Sequence, residues 1–165
     1  MQIRRAAAKD VDALSALAMR AKAHWGYAPA QLEGWSDSLR QSVDSVRTRP
    51  VFVAELEGKM AGFYALLARG DACALDDLWV APDCMNRGVG RALVAHARET
   101  AAALGAASLH IDADPHAERF YVACGARRVG ELTAPIEGQP DRVRPQLVLP
   151  VTQEFAGASS AARMV

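Results

Sequence analysis

The sequence predicts a mixed α/β fold in which helices flank a single, mostly antiparallel central sheet of about six to seven strands. The N-terminal part holds two helical patterns, short apolar runs joined by turns come next, and strand-like and helix-like segments alternate thereafter. The chain has 165 residues, of which 51% are apolar. This length suits one domain, and the apolar content is enough for a sizeable core.

The first third of the chain is predicted to form one strand and two helices. Residues 1–6 resemble a short strand, and Asp10 is placed to cap the helix that follows. A second helix is predicted over residues 29–46, because Pro29 suits a first helical turn. The apolar face of the first helix contains Val11, Leu14, Leu17 and Ala18.

Three consecutive strands are predicted next, followed by a long helix. The runs "VFVAEL", "MAGFYALLA" and "ACALDDLWVA" are separated by turns around Gly58 and Gly70. Gly105 stands where a glycine typically ends a helix. The apolar stripe of that helix consists of Val89, Leu93, Ala97, Ala101 and Leu104.

The remainder of the predicted domain alternates between strand and helix. "ASLHIDA" is predicted to be a strand, residues 115–125 a shorter helix, and "ARRVGEL" and "PQLVLPV" the last two strands. We assign residues 1–150 to the domain. Residues 151–165 lose all periodicity, so we expect them to form a mobile tail.

Charge and cysteine content exclude several classes of function. Lys plus Arg equals Asp plus Glu, at 19 each, so a broad nucleic-acid-binding surface is not expected. The apolar runs are too short to cross a bilayer, and the N-terminus does not resemble a secretory signal. The three cysteines form no CxxC pair. We therefore expect a cytoplasmic protein with no metal site and no membrane or nucleic-acid partner.

Gly88 and Gly90 stand at the predicted start of the long helix, between Arg87 and Arg91. The first amides of a helix lack internal partners, and glycine lets an anion approach the backbone closely. The stretch lacks the Lys-Ser or Lys-Thr ending of a P-loop and the third glycine of a dinucleotide fold. The glycines by themselves leave two interpretations open, a phosphate site or close packing of the helix on a strand.

Two longer motifs favour the phosphate site. The first is Val80-Ala81-Pro82 followed by Gly88-x-Gly90, and the second is Asp114-x-x-Ala117-x-x-Phe120-Tyr121-x-x-x-Gly125. In this order and spacing they resemble the GCN5-related N-acetyltransferase (GNAT) superfamily, and the likeness extends over nearly the whole chain except the tail. Met85 and Asp114 depart from the residues usual in that superfamily, which are Gln or Arg and Asn.

The resemblance implies an N-acetyltransferase that passes the acetyl group of acetyl-CoA directly to a primary amine in a ternary complex. It also implies splayed strands, between which the pantetheine arm pairs with strand backbone as an extra strand would. The cofactor-binding residues implied are Leu78, Trp79, Val80, Asn86, Arg87, Gly88, Val89, Gly90, Arg91, Asp114, Ala117 and Phe120.

Tyr121 and Asp76 are the catalytic residues that the resemblance implies. Tyr121 would protonate the departing thiolate, and Asp76 would accept the amine proton directly or through water. Strand alternation places Asp76 with Leu78 on one face and Asp77 on the other, so only one aspartate can face the cleft. His110 is an alternative group that titrates near neutrality.

The segment between the first two predicted helices is expected to line the acceptor site. Aromatic faces attract ammonium groups, and a carboxylate adds negative charge. Trp35 is expected to pack on the sheet instead, and Cys84 and Cys124 to be inert. Arg142 and Arg144 either meet a carboxylate on the acceptor or are solvated, and solvation is the expectation because surface arginines are common. The substrate-binding candidates are His24, Trp25, Tyr27 and Glu33.

Three questions stay open at this level. The acceptor is either a small-molecule amine or a protein amine, and the donor could carry a longer acyl chain. A second class of function is a CoA-binding sensor that has lost catalysis, which the departures at Met85 and Asp114 make conceivable. Relatives often pair, so a homodimer is a further expectation.

Overall fold

Seven strands form one sheet in the order β1-β2-β3-β4-β5-β7-β6. The computed structural model describes residues 1–70 and 72–151, so the predicted mobile tail lies outside the described residues apart from Val151. The strands are β1 (Gln2–Arg5), β2 (Val51–Leu56), β3 (Lys59–Arg69), β4 (Ala72–Val80), β5 (Ser108–Asp112), β6 (Arg127–Thr133) and β7 (Val143–Pro150). All neighbouring strands are antiparallel except β4 and β5, which are parallel. The predicted fold class is confirmed.

Helices cover both faces of the sheet. They are α1 (Val11–Ala23), α2 (Pro29–Gly34), α3 (Ser36–Leu39), α4 (Val43–Thr48), α5 (Val89–Ala103) and α6 (Glu118–Ala123). Single 3-10 turns occur at Ala8–Asp10, Pro82–Cys84 and Pro115–Ala117. In the described part of the chain, no helix combines the length and the apolar character that crossing a membrane requires.

Two apolar clusters form the core, one on each face of the sheet. The α1 face buries Leu14, Leu17 and Ala18 against β2 and β3, as the sequence pattern predicts. The α5 face buries Val89, Leu93, Ala97 and Ala101 of the predicted stripe. Leu104, the fifth member of that stripe, is 52% exposed because it lies at the C-cap, beyond the last turn that the sheet covers.

The single helix predicted over residues 29–46 is wrong. Three short helices occupy this stretch, and Pro29 does begin the first of them. Arg40 has an extended backbone, which ends α3, and the Ser42 side chain accepts a hydrogen bond from the Ser45 N–H at 3.0 Å to cap α4. A local capping interaction therefore restarts the helix where the sequence pattern suggested continuity.

The predicted cap at Asp10 is also wrong, because its carboxylate makes no hydrogen bond to the first amides of α1. It accepts the Ala7 N–H at 2.8 Å and pairs with Arg4 on β1 at 2.8 Å. At the far end of α5 the prediction is confirmed. Gly105 has φ +81°, and the Ala106 N–H reaches back to the Ala101 carbonyl at 3.0 Å.

The parallel strands β4 and β5 separate after a short contact. They pair only at Cys73 with Leu109 and at Ala74 with His110. β4 continues beside β3 as far as Val80, so the edge of β4 that faces β5 is unpaired from Leu75 onward within the described chain. This splay opens a gap in the middle of the sheet, between the carboxyl ends of the two strands.

Candidate active site

A cavity of about 680 Å³, here called the cleft, lies in the gap between β4 and β5. Its lining comes from the end of β4, the turn before α5 and the segment from Ala113 to Ala123. Ten of the twelve predicted cofactor-binding residues line it: Leu78, Trp79, Val80, Asn86, Gly88, Gly90, Arg91, Asp114, Ala117 and Phe120. The other two point elsewhere, since Val89 is buried in the core and Arg87 pairs with Glu57 at 2.7 Å.

The turn before α5 has an unusual backbone. Asn86 and Gly88 both have positive φ, at 60° and 81°. Asparagine and glycine are the residues that tolerate this left-handed conformation best. As a result the N–H groups of residues 86–91 find no backbone acceptor in the described part of the chain. They form a cluster of free donors at the positive end of α5, which suits a bound anion.

The two glycines of this turn serve different purposes. A Cβ on Gly88 would meet no atom within 4 Å, so its conformation, not its size, requires glycine. A Cβ on Gly90 would lie 3.0 Å from the Phe120 ring, so Gly90 permits α6 to approach the first turn of α5. The packing interpretation therefore applies to Gly90, while Gly88 shapes the free donors.

Tyr121 lies in the cleft wall on α6 and is only 6% exposed. Burial raises the pKa of its phenol, and the nearby Cys124, Asp77 and Asp114 act in the same direction. The hydroxyl consequently stays protonated over the neutral range, as a proton donor must.

Asp76 and Asp77 lie where the register between β3 and β4 shifts, which leaves Asp76 without a partner residue on β3. Asp76 lines the cleft, but Arg49 holds its carboxylate at 2.5 Å. Asp77 accepts the Trp79 indole N–H at 2.9 Å and a hydrogen bond from Gln41 at 3.1 Å. Burial raises the pKa of Asp77. The hydrogen bond to the indole shows that Asp77 orients Trp79. The alternative base, His110, is exposed and lines neither the cleft nor the second cavity, which is described next.

A second cavity of about 290 Å³, here called the acceptor cavity, lies on the α1 side of the sheet. It shares three wall residues with the cleft, namely Trp79, Asp112 and Asp114. These three residues are therefore the place where the two cavities adjoin. The rest of the wall includes Lys22, Trp35, Ile136, Arg142 and Arg144.

Asp114 is fully engaged by the protein itself. Its carboxylate accepts hydrogen bonds from Lys22 Nζ at 2.5 Å, Tyr27 Oη at 2.9 Å and the His116 N–H at 3.0 Å. Burial opposes its ionisation, but these donors hold the pKa of Asp114 below its usual range. Burial in turn lowers the pKa of Lys22, against the pull of Asp114. The pair ties α1 and the α1–α2 loop to the end of β5.

The predicted acceptor residues are divided between several places. His24 and Trp25 line the cleft, and Trp25 stacks on His116 with ring centroids 5.1 Å apart. Tyr27 is buried beside Asp114, while Glu33 is exposed on α2 and lines neither cavity. Trp35, expected only to pack on the sheet, also lines the acceptor cavity.

The expectation that Arg142 is solvated is wrong, because its side chain is only 5% exposed. Arg144 is half exposed and pairs with Asp112 at 3.0 Å. Sequence reasoning passed over Lys22 and Asp112 altogether. Lys22 occupies a position on the buried face of α1, and a charge within an apolar helical stripe was the signal available.

Comparisons with known proteins agree with this architecture. Residues 16–126 match the model of the acetyltransferase (GNAT) family. A search of curated proteins finds no significant match.

Several solved structures share the fold. A GCN5-related N-acetyltransferase from Rhodopseudomonas palustris is 23% identical with a TM-score of 0.71, over 90% of this chain and 94% of that one. The PaiA N-acetyltransferase from Thermoplasma acidophilum, in complex with coenzyme A, is 15% identical with a TM-score of 0.72, over 90% and 98%. The ribosomal-protein-S18-alanine N-acetyltransferase from Escherichia coli is 21% identical with a TM-score of 0.68, over 99% of both. Since the family model covers more than half of its length, the chain belongs to the acetyltransferase (GNAT) family.

Proposed function

We propose that the protein transfers an acetyl group from acetyl-CoA to the primary amine of an acceptor, by direct attack in a ternary complex. The observation that carries this proposal is the set of N–H groups at residues 86–91 without a backbone acceptor, in a turn that lines a cleft continuing along the unpaired edge of β4. Family membership and the coenzyme A complex of the Thermoplasma structure support it.

The cleft suits the shape and chemistry of coenzyme A. The amides of residues 86–91 would hold the pyrophosphate, with Arg91 at the rim. The backbone of Leu78 and Val80 would pair with the pantetheine amides along the open strand edge. A volume of about 680 Å³ lies within the range of ligand sites. When bound, the thioester supplies an acetyl carbon that is activated towards amines.

The acceptor amine would come from the acceptor cavity and meet the acetyl group beside Trp79 and Asp112. An alkylamine is protonated at neutral pH and must lose a proton before its nitrogen can attack. Asp76 remains a candidate for accepting this proton. Asp112 is a second candidate, because it lines both cavities whereas Asp76 lines only the cleft. Both carboxylates are ion-paired, Asp112 with Arg144 and Asp76 with Arg49.

Tyr121 would supply the second proton transfer. As the carbon–nitrogen bond forms and the carbon–sulfur bond breaks, the phenol would donate its proton to the departing thiolate. The nitrogen proton would pass to a carboxylate, directly or through water. The raised pKa of Tyr121 supports this role, since it keeps the phenol protonated before transfer.

Replacing Tyr121 tests the proposal. Tyr121→Phe removes only the hydroxyl, so we expect kcat to fall roughly 100-fold or more, with the Kd for coenzyme A nearly unchanged. The measurements are free thiol release from acetyl-CoA over a panel of amines, and calorimetry with coenzyme A. Val122→Ala is the matched control, because Val122 is the next residue on α6 and is 51% exposed. Equal activity of Tyr121→Phe and the unmodified chain would remove Tyr121 from the mechanism.

A coenzyme A sensor without catalysis is the competing function. The observation in its favour is that Asp114, which replaces the usual Asn, is fully occupied by Lys22 and Tyr27. The same assay separates the two functions. Tight binding of acetyl-CoA without thiol release for any amine would support the sensor and contradict acetyl transfer.

A further inference from the structure

The acceptor cavity is lined by an unbalanced set of charges, of which those of Lys22, Asp114 and Arg142 are largely buried. Three cationic side chains line it, Lys22, Arg142 and Arg144, but only two carboxylates, Asp112 and Asp114. Lys22 pairs with Asp114 at 2.5 Å, and Arg144 pairs with Asp112 at 3.0 Å. One positive charge, that of Arg142, is therefore left without a carboxylate of its own among the described residues.

Arg142 is held in place mainly by neutral groups. Its Nη1 donates to the Ala134 carbonyl at 3.1 Å, and its Nη2 donates to Tyr27 Oη at 3.3 Å. Its ion pair with Asp114 is long, at 3.7 Å, and the Asp114 carboxylate already accepts hydrogen bonds from Lys22 and Tyr27. With 5% of the side chain exposed, water does little to compensate the charge. The rings of Tyr27 and Trp35, 5.7 and 5.8 Å from the guanidinium, add a further but weaker attraction. Because burying a charge is costly unless it is well paired, this guanidinium suits an additional anion.

Two donors in the cavity wall are unused. The Nε atoms of Arg142 and Arg144 are buried and have no hydrogen-bond partner in the described part of the chain. Both residues line the acceptor cavity. A guanidinium matches a carboxylate in geometry, because its N–H groups form a planar fork that can bind both carboxylate oxygens. Two guanidinium groups in the wall of one small cavity therefore suit a carboxylate ligand.

We propose that the acceptor is a small molecule that carries a carboxylate as well as its amine, of the amino-acid class. This inference rests on the proposed acetyl transfer and specifies its substrate. Arg142 and Arg144 bind the carboxylate, and the amine points to the junction beside Trp79 and Asp112. The pairing of Arg144 with Asp112 places the two charges side by side, in the arrangement that a zwitterion with adjacent opposite charges requires.

The size of the cavity agrees with a small acceptor. Its volume of about 290 Å³ is at the lower end of the range for ligand sites, roughly 300–1,000 Å³. Trp35, Trp79 and Ile136 supply apolar parts of the wall. A free amino acid or a slightly larger derivative fits these dimensions, whereas the folded surface of a protein acceptor does not enter them.

Direct binding tests the inference without relying on turnover. The unmodified protein, saturated with coenzyme A, is titrated by calorimetry with each common amino acid and with its carboxamide. The carboxamide keeps the amine and the side chain and removes only the negative charge. We expect at least one acid to bind, with an affinity on the order of 10- to 100-fold above that of its carboxamide, as for hydrogen bonds to a charged group. Equal affinity for acid and carboxamide, or no binding of any acid, would overturn the inference.

Variants assign the effect to the two arginines. Arg142→Gln and Arg144→Gln should each bring the affinity for the acid close to that for the carboxamide. Arg128→Gln is the control, since Arg128 on β6 pairs with Glu118 at 3.1 Å and lines neither cavity. If Arg142→Gln does not fold, the comparison of acid and carboxamide on the unmodified protein still decides the matter.

The outcome also separates this inference from the proposed function. Transfer to amines with and without a carboxylate at equal rates would overturn the inference and leave acetyl transfer standing. Selective binding of an acid without any thiol release would support the carboxylate site and contradict acetyl transfer.

Discussion

Gly88 illustrates how one backbone conformation shapes the candidate site. Its φ of +81° turns the chain into α5, where the first amides have no backbone acceptor, and a side chain at this position would face open space. Gly105 has the same φ at the other end of α5, and a Cβ there would also meet nothing within 4 Å. The two glycines share the same local requirement, yet only Gly88 lines the cleft.

This pair provides a matched test of the anion site. Gly88→Asp and Gly105→Asp should each destabilise the fold by about 1–2 kcal/mol, because each forces a left-handed backbone on a residue with a Cβ. Only Gly88→Asp should also weaken coenzyme A binding, by at least about tenfold, since it places a negative charge at the phosphate site. Thermal unfolding and calorimetry measure the two effects. Equal coenzyme A affinity for both variants would mean that the phosphates bind elsewhere.

At the scale of single residues, Asp114 shows how a motif position can take a different role. The pattern predicted a cofactor contact, and Asp114 does lie in the cleft wall. Its carboxylate, however, accepts hydrogen bonds from Lys22 and Tyr27, which are 92 and 87 positions away in the sequence. The predicted direct contact stays a prediction, and the observed bonds indicate that Asp114 positions the α1–α2 loop beside the site.

At the scale of elements, the end of β4 is where sheet, helix and cleft meet. Gly62 on β3 pairs with Val80, and a Cβ on Gly62 would lie 2.7 Å from the Trp79 carbonyl and 3.0 Å from Leu93 on α5. No real Cβ tolerates the first distance, so the strand or the helix would have to move. Gly62 thus allows β3, β4 and α5 to converge behind the cleft.

Gly62→Ala should therefore lower the free energy of unfolding by about 1–3 kcal/mol, as overpacking in a core does. Because the carbonyl that moves belongs to Trp79, which lines both cavities, coenzyme A binding should weaken as well. Gly34→Ala on α2 is the control, since a Cβ there meets nothing within 4 Å and its φ is ordinary. Denaturant unfolding that shows the same stability for both variants would contradict the close approach.

At the scale of the whole molecule, buried carboxylates govern stability in acid. The hydrogen bond from Arg4 lowers the pKa of Asp10. Burial opposes ionisation of Asp114, but the bonds from Lys22 and Tyr27 lower its pKa as well. Groups with a depressed folded-state pKa stabilise the fold above the unfolded value, about 3.9, and this contribution is lost as pH falls through the folded value. Asp77 acts in the opposite sense. Burial raises its pKa because the ionised carboxylate is poorly solvated in the fold, so protonation of Asp77 stabilises the folded state.

The melting temperature should therefore fall below about pH 4, where Asp10 and Asp114 take up protons, whereas Asp77 acts at higher pH, between about pH 4 and its raised folded-state pKa. Asp10→Asn should make the acid-dependent decrease shallower than in the unmodified chain. Asp77→Asn should remove the gain in stability that protonation of Asp77 gives the unmodified chain above about pH 4, and should leave the decrease below about pH 4 nearly unchanged. Thermal unfolding followed from pH 7 to about pH 2.5 measures all three slopes. A common slope for the three proteins would mean that other groups control acid unfolding.

Much of the fold follows from local sequence signals. The alternation of strands, the apolar stripe of α5 and the cap at Gly105 depend on residues a few positions apart, and all appear where they were predicted. The break between α3 and α4 was missed, because the cap at Ser42 competes with a weak helical pattern. The general position of the cleft followed from the motif resemblance, and the roles assigned to Tyr121 and Asp76 stay predictions.

The sequence by itself determined the order of the strands, the position of the long helix α5 and the turn at Gly88, because short-range sterics and hydrophobic periodicity dictate them. Only the tertiary structure decided where β4 and β5 part, which glycine makes room for Phe120, and that Arg142 is buried with a spare donor. These features depend on contacts between residues far apart in the chain. A sequence pattern relates residues that are a few positions apart and does not say which distant residues are close in space. Their burial and pairing are therefore decided only when the sheet forms.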